Sequence, residues 1–180
     1  MPLIRSSRAD VWYTLLLVGI SAACAGLLAA VCAVQFAVAG VQVETWRVSQ
    51  LDRYTAFLVA APLVALVLGP PLWWWFIVKP GWLGVRRGVG VGVLGGLLAH
   101  PLVWYAVLVA AFLTGQPTVA GVLQVTNPFV DLFGAVALSA VTLIWVGWIT
   151  ALVGGLAGGM IALLQVRCGC RERWRAALAV

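Results

Sequence analysis

The chain has 180 residues, of which 64% are hydrophobic and 9% charged, with a mean hydropathy of +1.09. That balance lies outside the range of water-soluble globular proteins and inside that of membrane proteins. The net charge of +6 is spread as short basic clusters flanking apolar stretches, a pattern of membrane retention and contact with anionic headgroups rather than of nucleic-acid binding.

Four apolar stretches, near residues 11–40, 56–78, 89–113 and 132–166, each exceed the roughly 20 residues a helix needs to cross about 30 Å of hydrocarbon. The sequence therefore predicts an all-α integral membrane protein, a single domain of four transmembrane helices. Arg5 and Arg8 precede the first stretch, Lys79, Arg86 and Arg87 separate the second from the third, and Arg167, Arg171, Arg173 and Arg175 follow the fourth. Arg47 and Arg53 are the basic residues of the remaining loops. Short loops rich in Lys and Arg stay inside, so both termini are expected in the cytoplasm and the loops near 44–55 and 114–131 outside. An excess of Arg over Lys with abundant Ala, Gly and Val suits high-GC coding, which makes a multi-pass protein of a prokaryotic cytoplasmic membrane the expectation.

In the first stretch, Ser7 and Asp10 form a capping-box pattern at the helix start. Arg5 and Arg8 before an apolar run resemble a signal peptide, but the run is longer than the about 7–15 residues of a signal core, so an uncleaved span is expected. Gly19, Ala23, Gly26, Ala30, Ala33 and Ala37 fall on one narrow arc, while Ser21, Cys24, Gln35 and Gln42 give a faintly polar opposite face. Cys24 and Cys32 lie about 12 Å apart on one helix and cannot bridge each other.

The second stretch is the irregular one. Pro62 removes a helical donor, and Gly69-Pro70-Pro71 is expected to kink the helix or break it into two short pieces. Below it, Trp73, Trp74, Trp75, Lys79 and Trp82 make an interfacial anchor, with Lys79, Arg86 and Arg87 placed to meet lipid phosphates.

Small residues recur in the third and fourth stretches, where Gly88, Gly92 and Gly95 and then Gly147, Gly154 and Gly158 are expected to let backbones approach. His100 is the ionisable side chain predicted deep in the third span, and such a residue is a functional candidate by default. A structural role competes: Pro101 frees the Leu97 carbonyl, which a neutral imidazole N–H at His100 is able to satisfy. Asn127-Pro128 marks the start of a fourth helix of up to about 39 residues, near 58 Å, with Asp131 at its positive end. Residues 117–126 are apolar but too short to span, and read as an interfacial or re-entrant piece. Glu44, Asp52 and Asp131 offer a small outer polar site, against the simpler reading of a solvated loop.

No catalytic, metal-binding or cofactor motif is present, so no cofactor is expected. Cys168 and Cys170 alone are too few for a structural zinc site. The expected function is a non-catalytic assembly or accessory subunit in contact with lipid and other membrane proteins, as a homo-oligomer or within a membrane complex. A small transporter or channel using a broken second helix and His100 is the alternative, and a polar, water-accessible cavity at mid-depth would distinguish it.

Overall fold

The computed structural model describes residues 8–39, 49–114 and 131–168, and every regular element among them is helical. The order is α1 (Arg8–Ala39), α2 (Ser49–Trp73), a π-helical turn (Trp74–Val78), α3 (Val85–Thr114) and α4 (Asp131–Arg167). All four helices are long and apolar enough to cross a membrane. At 37 residues, α4 is about 56 Å long, well beyond a bilayer's hydrocarbon.

The helices form a ring. The tightest contacts join α3 to α4 and then α1 to α2, while α1/α4 and α2/α3 complete the circuit more loosely. Within each tight pair the contacts run antiparallel: Gly26 meets Ala61 and Ala65 while Gly19 meets Leu66 and Pro70, and on the other side Gly88 meets Gly158 while Gly96 meets Thr150.

Of the kink or break expected in the second helix, the break is not there. Helix α2 continues through Pro62, Pro70 and Pro71 as one element. The neighbouring helix makes room for one of these rings: a Cβ on Gly19 would stand 3.2 Å from Pro70 Cγ and from Leu66 Cδ1. Pro70 frees the Leu66 carbonyl, whose oxygen faces the same glycine.

The irregularity appears instead after the prolines. The Lys79 N–H donates to the Trp74 carbonyl at 2.8 Å, a five-residue step that widens the last turn. The helix then stops in a Schellman arrangement, with Trp82 N–H donating to the Ile77 carbonyl (3.1 Å) and Gly81 N–H to the Val78 carbonyl (3.0 Å). Gly81 has φ of 64°, the left-handed backbone that such a stop requires and that glycine adopts without cost.

The buried positions mix small residues, Ala29, Ala60, Ala135, Ala162 and several glycines, with larger ones such as Trp73, Ile77 and Leu108, whereas Trp12, Leu17, Val67, Phe133, Ile144 and Leu156 stand exposed. The densest large-residue core lies at the end bearing the 79–84 connection, where Trp73, Ile77, Val78 and Leu83 pack with Val18 and Ala162.

Candidate functional site

The α3/α4 seam is built from backbone against backbone. A Cβ on Gly92 would run into the Gly154 carbonyl oxygen, one on Gly154 into the Gly92 carbonyl, and one on Gly158 into the Gly88 carbonyl. At Gly88 it would lie 2.5 Å from both Ala162 Cβ and the Gly158 carbonyl oxygen. Four of the six glycines singled out from the sequence thus meet at this crossing. The other two do not: a Cβ on Gly95 would touch only Leu72 Cδ1 at 3.5 Å, and one on Gly147 would meet Leu143 of its own helix. Gly96, missed in the sequence, belongs to the seam, with the Thr150 carbonyl oxygen 2.7 Å from its Cβ position. The detectable signal was the four-residue step from Gly88 through Gly92, which reaches Gly96 rather than Gly95.

Between the helices is a half-open cavity of about 390 Å³ lined from all four of them. Its wall on α3 runs from Val91 to Trp104, about 20 Å along the axis, so the space is elongated. Alanine, glycine and valine make up most of the lining, and among the described residues no carboxylate, lysine or arginine contributes. This is an apolar chamber of the size range of small-molecule pockets.

Polar groups in its wall are few and unequal. Toward one end, the Trp104 indole N–H donates to Thr142 Oγ1 at 2.9 Å, and Thr142 Oγ1 donates in turn to the Leu138 carbonyl at 2.9 Å. The Trp104 ring also meets Phe57 edge-on, with centroids 4.7 Å apart, so it ties α2, α3 and α4 together. Toward the other end stands Trp73, 2% exposed, whose Nε1 is buried without a hydrogen-bond partner among the described residues. Leaving such a donor unsatisfied costs about 1–3 kcal/mol.

His100 lies between these levels and contributes to the same wall. Its Nε2 is buried and unpartnered among the described residues, so that nitrogen is not the donor to the Leu97 carbonyl that the sequence suggested.

The three consecutive tryptophans divide. Trp73 is in the core, and the expectation that it anchors at an interface is corrected: successive helical residues point in different directions, and this one points inward. Trp74 packs partly against that core. Trp75 is 62% exposed, with Lys79 Nζ 4.1 Å from its ring centroid, and Trp82 is 56% exposed, with Arg87 Cζ at 3.8 Å. Each is a cation–π pair. Arg86 is exposed beside them. These residues gather two indoles and three cations at one end of the bundle.

The outer acidic residues are not brought into a described site. Glu44 lies outside the described residues, Asp52 lies in the first turns of α2, and Asp131 begins α4. Among the described residues no group of three His, Cys, Asp or Glu is placed to hold a metal ion. No protein-family model, curated protein or solved structure matches the chain, so its function is read from its own residues.

Proposed function

We propose that the chain is a four-span integral membrane protein acting as a non-catalytic assembly or accessory subunit. The carrying observation is the number of large apolar side chains that stand exposed on all four helices, with glycine and alanine at the closest contacts between helices. In water an apolar surface of this extent promotes aggregation; in hydrocarbon it is the lipid face, and small residues are what close helix packing needs. One polar pair between helices, Trp104 and Thr142, also serves cohesion.

In this reading both termini and the Lys79–Arg87 end face the cytoplasm of a prokaryotic cell, where Trp75, Trp82, Lys79, Arg86 and Arg87 engage lipid headgroups, anionic ones included. The exposed faces serve a second copy or another membrane protein. The transporter alternative keeps His100 in the cavity wall, but a mostly apolar lining and an α2 without a break favour the assembly reading.

Cysteine labelling tests the topology. In a cysteine-free background, Ser49→Cys is expected to react with an impermeant reagent in intact cells and Ser6→Cys only after permeabilisation; the reverse pattern overturns the orientation. Native electrophoresis of mildly solubilised membranes tests the subunit role, and migration as a bare monomer would count against it.

A further inference from the structure

We infer that the central cavity is a binding site for a neutral, chain-bearing lipid that carries a carbonyl oxygen, recognised by the side chains of Trp73 and His100. The proposal goes beyond an assembly role and stands or falls independently of it.

Three features of the cavity define the ligand. It is elongated and apolar, which suits a hydrocarbon chain. Among the described residues no charged side chain lines it, so a charged headgroup brought inside would lose its hydration without compensation from them. Finally, two of its wall residues hold buried nitrogens without partners among the described residues, Trp73 Nε1 and His100 Nε2.

These nitrogens narrow the chemistry. An indole N–H only donates, so a ligand that satisfies Trp73 must bring an acceptor. A carbonyl oxygen is the acceptor that a neutral lipid supplies. The same chemistry suits His100, because a neutral imidazole carrying its proton on Nε2 is a second donor. The contrast with Trp104 is informative: that indole lies in the same wall but already donates to Thr142, so it has no donor left for a ligand. Leu72, next to Trp73, approaches Gly95, and His100 lies five residues further along α3, about 8 Å away in axial rise. The two donors are therefore spaced along the chamber, one serving a carbonyl near the Trp73 end and the other a carbonyl deeper in.

Two lipid families share this chemistry, acyl esters and alkyl-substituted quinones, and a titration separates them. The purified full chain in a maltoside detergent, which has no carbonyl, is exposed to dioctanoylglycerol, to a decyl-substituted benzoquinone, or to dodecane, and the unfolding midpoint is followed against concentration. One or both carbonyl probes are expected to raise the midpoint saturably, and whichever does identifies the family. Dodecane is expected to bind at least about tenfold more weakly, the factor one hydrogen bond provides. Trp73→Phe and His100→Leu are each expected to weaken the effective probe about tenfold, while His100→Gln, which keeps a donor, retains affinity.

Equal binding of dodecane, the absence of a saturable shift with either carbonyl probe, or unchanged affinity in both Trp73→Phe and His100→Leu would overturn the proposal. If Trp73→Phe does not fold, the Gln and Leu variants at position 100 decide it: equal affinities refute the site, and loss in Leu alone supports it.

Discussion

The two tight helix pairs are both made with glycine, yet they close differently. Between α3 and α4, glycine faces glycine, so the nearest atoms across the seam are backbone carbonyls that have no freedom to move aside. Between α1 and α2, glycine faces something larger: Gly26 lies against the Ala61 carbonyl and the Ala65 methyl, Gly69 against the Ala22 methyl, and Gly19 against Leu66 and Pro70. Where glycine meets alanine or a larger residue, a side chain stands at the contact, whereas glycine on both helices brings the main chains together. Closeness is a property of the pair, and a count of glycines in either helix does not reveal it.

The largest expected effect follows at the closest point. Gly92→Leu is expected to cost about 3 kcal/mol or more, the upper end of overpacking, or to abolish folding. Reversible unfolding in detergent measures it, and an unchanged midpoint would show that α3 and α4 do not cross here. Alanine then sharpens the comparison. Gly26→Ala places its methyl 2.9 Å from Ala65 Cβ and the Ala61 carbonyl oxygen, and about 1–2 kcal/mol is expected, less than for Gly92→Ala. Equal losses in the two seams would erase the distinction between them.

A smaller effect is expected where the loose seam and the tight one meet. Trp104→Phe removes the donor to Thr142 and is expected to cost about 1 kcal/mol, and Thr142→Val should add little on top of it. Fully additive losses in the double variant would mean that the two residues do not act as a pair. The smallest effects lie off both seams. Gly90 has nothing within 4 Å of its Cβ position, so Gly90→Ala is expected to be neutral or to stabilise by up to about 1 kcal/mol through helix propensity. Gly95→Ala, with an ordinary 3.5 Å contact to Leu72, is expected to behave similarly. A marked loss at either position would move it onto an interface.

These contrasts also show what was legible in the sequence. The four helices were, because a long apolar run is a one-dimensional signal, and the stretch 132–166 falls within α4, while the helix start expected at Asn127-Pro128 lies outside the described residues. Part of the glycine seam was legible from its four-residue step, but choosing Gly95 over Gly96 turned the stripe by about 100°, and only the neighbour's position decides between them. The continuity of α2 was not legible. Proline's local preference pointed to a kink or a break, and the glycine that makes room for the Pro70 ring, Gly19, sits about fifty residues earlier in the chain, beyond any local pattern. Nor does the sequence mark which of Trp73, Trp74 and Trp75 is buried, since identical residues carry no directional label. The cavity was equally hidden, for its wall is assembled from four helices and its two unpartnered nitrogens have meaning only once that wall exists.

The wide turn at Trp74–Val78 bears on how this chain tolerates changes of length. Deleting one residue from an ordinary α-helical turn rotates everything beyond it by about 100°. A π turn already holds one residue more than its α counterpart, so a single deletion there returns the helix to regular winding and leaves the phase of the flanking segments nearly as before. Gly81, Trp82 and Arg87 would keep their bearing on the bundle. Residues 74–78 are thus where α2 best absorbs the loss of a single codon, and where related chains are expected to differ in length by one.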